Sequence, residues 1–505
     1  MRVVTRMGRK WWPELAFAGA ILAGCSGSGG VPAPGPGRTP PPNPSARSVR
    51  IATDPFTNSA SQHATQVEPS AFANGSTIVA AFQDGRFVSF GASDIGFASS
   101  LDGGATWNSG VLPGTTTLVA PPGSFDSVSD PSVTYDAAHA VWLVASLPIL
   151  FNRAPTPAAL VSRSTDAVHW FDPVAVAPGQ PSTDKDWIAC DNTASSPYYG
   201  RCYLETDDGN TGIIRLDVSN DGGLSWGPVQ NTLGAATGIG GQPLVAPNGT
   251  VVVPIDDFNE ARVLAFASHD GGATWSAATL VSSIADHLDA GSIRSNPLVS
   301  AGIDGAGTLY AVWQDCRFQS GCTENDLVLS TSSNGTVWSA PARIPIDPPG
   351  SGVDHFIPGL GVDRTSSGGG ARLALTYDYY ANGTCTMASC LLYAGFVESR
   401  DGGATWSAPV TLAGPMNLEW LAQTTQGSMV GDYLAAVYVA GRPIPVYTVA
   451  NPPVIATLDE AIYVPQPLVI PASFGALRSS KGERAARGAV SDHGPRRVRP
   501  FLGGI

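Results

Sequence analysis

The residues of this sequence best suited to chemistry are carboxylates and a tyrosine beside short strand starts, several of them marked by proline. Glu68 and Asp130 each precede a proline, and Asp432 and Tyr433 stand together at the last such start. Carboxyl groups can donate or accept protons during catalysis, and an activated tyrosine oxygen can attack as a nucleophile. We take Glu68, Asp130, Asp432 and Tyr433 as the candidate catalytic residues.

A second set of side chains is suited to holding a ligand. The candidate substrate-binding residues are Arg86, Arg294, Arg317, His355 and Asp186. Arginine offers planar paired donors that match a carboxylate, which lysine does not. Each member of the set, taken alone, has the alternative role of capping a turn or pairing with a neighbour.

An eight-residue repeat indicates which elements position these residues. The pattern Ser-x-Asp-Gly-Gly-x-Thr/Ser-Trp occurs at residues 100–107, 219–226, 268–275 and 399–406, with degenerate copies ending at Trp170 and Trp338. We call the four full copies the repeat turns. In such a turn the Asp carboxylate can accept backbone N–H bonds, glycine supplies the positive φ, and the Trp ring packs back onto the sheet.

Regularly spaced strand patterns surround the repeat turns. Units of an apolar strand, an alternating strand, a loop and a third strand begin near Glu68, Asp130, Asp186, Gln242, Asn296, Ile357 and Gly431. This spacing predicts an all-β β-propeller of four-stranded blades, with seven blades favoured and six possible. The last unit has no repeat turn, so we expect residues 49–56 to supply its fourth strand and remove an exposed edge.

The propeller topology predicts where a ligand would bind. Innermost strands start on one face, and the loops between second and third strands return to it, so both should line a central mouth. Besides the candidates above, these positions contain Asp184, Asp208, Asp257, Asp315 and Asp378. The repeat turns should lie on the opposite rim as scaffold.

The repeat turns resemble the Asp-box, or BNR, repeats of the sialidase-like β-propeller family. That resemblance covers most of residues 48–450 and implies an exo-glycosidase of sialidase type, in which a tyrosine nucleophile, a supporting glutamate and an acid/base aspartate act beside three arginines. Pro69, Arg86 and Tyr433 match the family pattern, whereas Val67 stands where the family has its first arginine. The alternative is a non-catalytic propeller that binds a glycan or a protein and has lost the sialidase machinery.

Composition limits the partners. The chain has a net charge of −13 and few lysines, which argues against nucleic acid as a partner. Neither a cofactor nor a metal is expected, because the sequence lacks metal-ligand motifs such as His-Glu-x-x-His. We expect a monomer whose ligand is a glycan or a surface protein.

The N-terminal residues predict export and lipid anchoring. Residues 1–24 combine four basic residues with a short apolar run, as in a signal peptide. The following Cys25 completes a Leu-Ala-Gly-Cys sequence that resembles the bacterial lipobox, which implies lipidation of Cys25. Residues 25–47 read as a Gly/Ser/Pro-rich linker, 48–465 as the propeller and 466–505 as a disordered basic tail. The predicted location is extracytoplasmic, on the outer membrane or cell surface.

The remaining cysteines form three local pairs. Cys190 with Cys202, Cys316 with Cys322 and Cys385 with Cys390 predict disulfides formed in an oxidising compartment.

Overall fold

The computed structural model describes residues 47–180, 183–455 and 457–466. The secondary structure is almost entirely β. The strands are β1 Ser48–Arg50, β2 Gln66–Asn74, β3 Thr77–Arg86, β4 Ala92–Ser100, β5 Asn108–Val111, β6 Ser127–Asp136, β7 Val141–Ile149, β8 Ala159–Ser164, β9 Phe171–Val176, β10 Asp184–Cys190, β11 Cys202–Asp207, β12 Ile214–Ser219, β13 Gln230–Asn231, β14 Leu244–Val245, β15 Val251–Asp256, β16 Arg262–Ser268, β17 Thr279–Ser283, β18 Ser300–Ile303, β19 Leu309–Asp315, β20 Asp326–Ser332, β21 Ala342–Arg343, β22 Asp354–Val362, β23 Leu373–Tyr380, β24 Leu391–Ser399, β25 Val410–Asn417, β26 Ala422–Thr424, β27 Gly427–Met429, β28 Ala435–Val439, β29 Arg442–Val454 and β30 Thr457–Pro465.

The strands pair into antiparallel four-stranded sheets that follow one another along the chain. Strands β10–β13, β14–β17, β18–β21 and β22–β25 each form one sheet, while β2–β5 and β6–β9 are joined by the single pair Ala92 and Val128. The all-β prediction and its four-stranded units are confirmed.

The last sheet combines the two ends of the described chain. Its order is β1-β30-β29-β28, with Ser48 opposite Pro465. The sequence predicted that residues 49–56 would complete this unit, and the strand observed there is the shorter Ser48–Arg50. Apolar residues of β3, such as Ile78 and Ala80, pack with Val437 and Ile444 of this sheet.

The repeat turns share one hydrogen-bond pattern. In residues 268–275, Asp270 Oδ1 accepts the Thr274 N–H at 2.9 Å, and Asp270 Oδ2 accepts the Thr274 hydroxyl at 2.6 Å. Ser268 Oγ donates to Asp270 Oδ1 at 2.8 Å. Gly272 has a φ of +83°, and Trp275 is buried in the core. The turn therefore has the bonding that the sequence predicts.

The first strands of four of the four-stranded units carry a similar bulge that positions the candidate site. Glu68, Asp130, Lys185 and Ile357 have positive φ values of 61°, 49°, 36° and 50°, each at a register shift near the start of its strand. A bulge leaves its residue outside the regular pairing and redirects the side chain. Non-glycine residues adopt this conformation at a cost of order 1–3 kcal/mol, and such strain clusters at functional sites.

All three predicted disulfides are present, and Cys190 with Cys202 joins the facing strands β10 and β11. Among the described residues, no helix is long and apolar enough to cross a membrane. The predicted signal peptide, Cys25, nearly all of the linker and the basic tail lie outside the described residues.

Candidate functional site

A buried lysine lies at the centre of the candidate catalytic carboxylates. Lys185 Nζ is 2.7 Å from Asp130 Oδ1 and 3.5 Å from Glu68 Oε1, and it also contacts Asp432 Oδ2. One carboxylate oxygen from each of Glu68, Asp130 and Asp432 lies within 4.8 Å of the other two, a spacing that a metal ion could bridge. The Lys185 ammonium contacts all three carboxylates. We call these four residues the Lys185 cluster.

Three strand bulges and the segment before β28 build the cluster. Glu68 lies on β2, Asp130 on β6 and Lys185 on β10, while Asp432 precedes β28. The predicted catalytic carboxylates therefore do converge. Lys185 was missed in the sequence, although it is the only lysine between residues 11 and 480 and follows Asp184 at a strand start equivalent to those of Glu68 and Asp130.

Arg294 adds a second cation to the cluster. Its Nε donates to Asp432 Oδ1 at 2.6 Å and its Nη2 donates to Asp432 Oδ2, which is the paired geometry of a strong arginine–carboxylate contact. Burial disfavours the charged form of Asp432, but the neighbouring Arg294 and Lys185 charges outweigh burial and hold the pKa of this carboxyl well below its usual range. Asp432 is therefore ionised at neutral pH.

Glu68 has the opposite protonation state to Asp432. Burial and the Asp130 charge raise the pKa of Glu68 to about 8, so it is largely protonated at pH 7. The Gln83 amide donates to Glu68 Oε2, and the Asp432 N–H donates to Oε1 at 3.3 Å.

Tyr433 and Asp186 lie beside the Lys185 cluster, and each has a hydrogen-bond partner outside it. The Tyr433 hydroxyl donates to the Pro131 carbonyl at 2.9 Å, and its ring meets the Trp187 ring edge-on with centroids 5.2 Å apart. Asp186 Oδ2 accepts the Ser132 hydroxyl at 3.0 Å. Burial raises the pKa of the Tyr433 hydroxyl well above its usual value, which disfavours the phenolate.

Arg86 faces the main chain of its own turn. Its Nη1 donates to the Phe87 carbonyl at 2.9 Å and to the Gly91 carbonyl, and burial lowers its pKa to about 10. Arg86 as a whole residue is only 3% exposed. Its position therefore supports the β3–β4 turn.

Arg317 and His355 have partners away from the Lys185 cluster. Arg317 forms paired contacts with Asp315 at 2.8 and 2.6 Å. The buried His355 ring lies against Tyr377 and Tyr379, and burial lowers its pKa. Neither has a contact with the cluster among the described residues, so the structure does not bring these two candidates to it.

Two adjoining cavities open beside the Lys185 cluster. The first has a volume of about 30 Å³ and the second about 10 Å³, and both are lined by Lys185, Leu298 and Asp432. We call the larger one the acidic cavity. Its lining residues are Asp184, Lys185, Ile239, Glu260, Arg294, Asn296, Leu298, Gln426 and Asp432.

Glu260 is a functional candidate that the sequence analysis missed. It lies in the β15–β16 loop with a φ of +53°, and both of its carboxylate oxygens are 3.0 Å from the Asn296 amide nitrogen. Burial raises its pKa to about 7 despite that hydrogen bond, and burial raises the pKa of Asp184 to about 6. The neighbouring residue Asp257, which the sequence placed at the mouth, was the available signal for this loop.

No protein-family model and no curated protein sequence matches the chain. Solved structures are similar at low identity. A leech intramolecular trans-sialidase is 14% identical, covering 80% of this chain and 67% of its own, with a TM-score of 0.38. A protein of unknown function from Dyadobacter fermentans is 15% identical over 71% of this chain and 99% of its own, with a TM-score of 0.45. An α-L-arabinofuranosidase from Fusarium graminearum is 13% identical over 71% and 98%, with a TM-score of 0.41. Values of this size identify neither a family nor a substrate for this chain.

Proposed function

We propose that this protein is an exported, lipid-anchored β-propeller that binds a glycan at its central mouth without sialidase chemistry. The observation that carries the proposal is the internal engagement of the groups that sialidase chemistry would require. Arg86 donates to main-chain carbonyls, Arg294 pairs with Asp432, and Arg317 pairs with Asp315. A clamp for the carboxylate of sialic acid would need these donors to be available.

The tyrosine supports the same conclusion. A nucleophilic oxygen must reach the sugar and lose its proton to a base. The Tyr433 hydroxyl donates to the Pro131 carbonyl, and the residue is 5% exposed.

The strand order supports a ring of seven blades. Counting β2–β5 and β6–β9 separately, the described strands make seven four-stranded units, and β1 completes the last with the opposite end of the described chain. The hydrogen bonding of the repeat turns supports their assignment as Asp boxes.

The acidic cavity has the mixed lining that sugars favour. Ile239 and Leu298 offer apolar surface, while Glu260, Asn296 and Gln426 offer planar polar groups for hydroxyls. Binding sites commonly combine apolar walls with a few such polar groups.

The experiment is a glycan array probed with the full chain, followed by titration of the best ligand. We expect Asn296→Ala to weaken binding at least tenfold, because Asn296 lines the cavity and holds Glu260. The matched control is Asn259→Ala, an exposed asparagine in the β15–β16 loop that carries Glu260. Equal affinity for wild type and Asn296→Ala would reject the mouth as the binding site. Binding to a protein partner alone would reject the glycan.

A second candidate function is a glycosidase that uses paired carboxylates. It is favoured by the contrast between Glu260, with its pKa raised to about 7, and Asp432, with its pKa held low. A carboxylic acid with a raised pKa near an ionised carboxylate is the usual division of roles in glycosidases. Fluorogenic glycosides should then be hydrolysed by the wild type and left intact by Glu260→Gln.

The proposed location has its own test. Cys25→Ser should abolish fatty-acid labelling and release the protein from the membrane fraction. Unchanged membrane association of this variant would reject lipid anchoring.

A further inference from the structure

We infer that the acidic cavity binds its ligand through a protonated amine, held between Glu260 and Asp184. The ligand class is therefore an amino sugar with a free amino group, in contrast to an anionic or N-acetylated sugar. This inference rests on the proposed glycan-binding function and names the chemistry of its ligand.

The charges that line the cavity favour a cation. Both basic side chains of the lining are already paired: Arg294 with Asp432, and Lys185 with Asp432 and Asp130. Asp184 and Glu260 have no cationic partner within hydrogen-bond distance among the described residues. Across residues 47–466 acidic residues outnumber basic ones by more than two to one. The field in this cavity therefore attracts a cation and repels a carboxylate.

The two carboxylates also have free acceptor capacity directed at the cavity. Asp184 is only 7% exposed, and Oδ1 accepts the Lys185 N–H at 3.1 Å. No described donor is bonded to Asp184 Oδ2, although the residue lines the cavity. Both oxygens of Glu260 share a single amide nitrogen, that of Asn296. A carboxylate accepts about four hydrogen bonds, and an ammonium offers three donors.

The size of the cavity fits the same group. The cavity has room for at least one group of water size, which is enough for an ammonium. An N-acetylated nitrogen carries no charge to balance the two carboxylates. Leu298 and Ile239 provide an apolar wall for the carbon atoms next to the amine. The rest of the sugar would remain at the open side of the cavity.

The experiment compares matched ligands by calorimetric titration of the full chain. The probes are a tetrasaccharide of glucosamine, the same tetrasaccharide with N-acetyl groups, sialyllactose, and butylammonium chloride as a sugar-free cation. Each is titrated into wild type, Glu260→Gln, Asp184→Asn and the control Glu398→Gln. Glu398 is a buried carboxylate that pairs with Arg400 and does not line the cavity. Circular dichroism and the urea midpoint identify any variant that fails to fold.

We expect the glucosamine tetrasaccharide to bind at least tenfold more tightly than its N-acetyl form. That difference should disappear in Glu260→Gln and Asp184→Asn and persist in Glu398→Gln. Equal binding of both tetrasaccharides, or tighter binding of sialyllactose, overturns the amine inference and leaves glycan binding intact. Butylammonium binding that is lost in Glu260→Gln, without binding of either tetrasaccharide, supports the amine site and overturns the glycan proposal. Absence of binding by every probe overturns both.

Discussion

Among the described residues, Lys185 is the only cation that contacts Asp130, and replacing it by methionine removes this contact. Of its hydrogen-bond partners in the described part of the chain, Asp130 then keeps the Ser129 hydroxyl at 2.9 Å, while Asp432 keeps its paired contacts with Arg294. Glu68 is largely protonated at pH 7 and loses little. The destabilisation therefore comes mainly from one buried aspartate that has lost its counter-charge.

The expected decrease in the free energy of unfolding follows from two limits. Removing one partner of a buried ion pair costs about 3–5 kcal/mol. The stranded carboxylate can instead take up a proton, which for an ordinary aspartate costs about 5 kcal/mol at pH 7.5 and less than about 1 kcal/mol at pH 4.5. We expect Lys185→Met to lower the free energy of unfolding by about 3–5 kcal/mol at pH 7.5 and by about 1 kcal/mol at pH 4.5.

Urea unfolding of wild type and variant at both pH values measures this difference, with the disulfides intact. The control is Arg262→Met, whose partner is Asp257 and whose side chain is 55% exposed, so its loss should amount to about 1 kcal/mol or less. A loss below about 1 kcal/mol for Lys185→Met at pH 7.5, or an equal loss at both pH values, would refute the role assigned to Lys185.

Three further predictions concern stability and turnover. Burial raises the pKa of Glu68 to about 8 and of Asp94 to about 7, so these carboxyls lose their protons at lower pH in the unfolded chain than in the folded protein. As the pH rises from about 4 to 8, the free energy of unfolding should therefore fall. A free energy of unfolding, measured in urea, that stays constant or rises over this range would contradict this. Asp270→Ala should lower the free energy of unfolding by about 1 kcal/mol and leave glycan affinity unchanged, and a loss of affinity in the titration would contradict its scaffold role. Tyr433→Phe should cost about 0.5–1.5 kcal/mol of stability. Any hydrolase activity should survive this change, and its loss in a fluorogenic assay would instead support a tyrosine nucleophile.

Much of the fold could be predicted because its signals are local. Proline-marked starts, alternating strands and the repeat turns occupy short stretches, and each cysteine pair lies on one loop or hairpin. The residues that complete the last sheet were predicted by elimination, because its final repeat turn is missing. The extent of that strand, Ser48–Arg50, depends on pairing with β30 and could not be read from residues 49–56 alone.

The candidate site was predictable only as a set of strand starts. Topology brings Glu68, Asp130 and Asp432 together, as their positions at strand starts predict. The partner of Arg294 depends on geometry across 138 residues of chain, which no spacing rule encodes. Arg86 illustrates the same limit, since its conformation directs the guanidinium to the carbonyls of its own turn.

The residues at the four strand bulges with positive φ differ in chemical type. Glu68, Asp130 and Lys185 occupy three of them, and their ionisable groups meet. The fourth carries Ile357, which is buried and takes no part in the cluster. An apolar side chain can therefore occupy such a bulge, and a well-packed apolar centre is often at least as stable as buried ion pairs. Stability alone does not explain charged residues at the other three positions. Of the four bulge residues only Lys185 lines the acidic cavity, and Glu68 and Asp130 contact its ammonium. We therefore attribute the ionisable residues at these three bulges to the positioning of Lys185 for binding at that cavity.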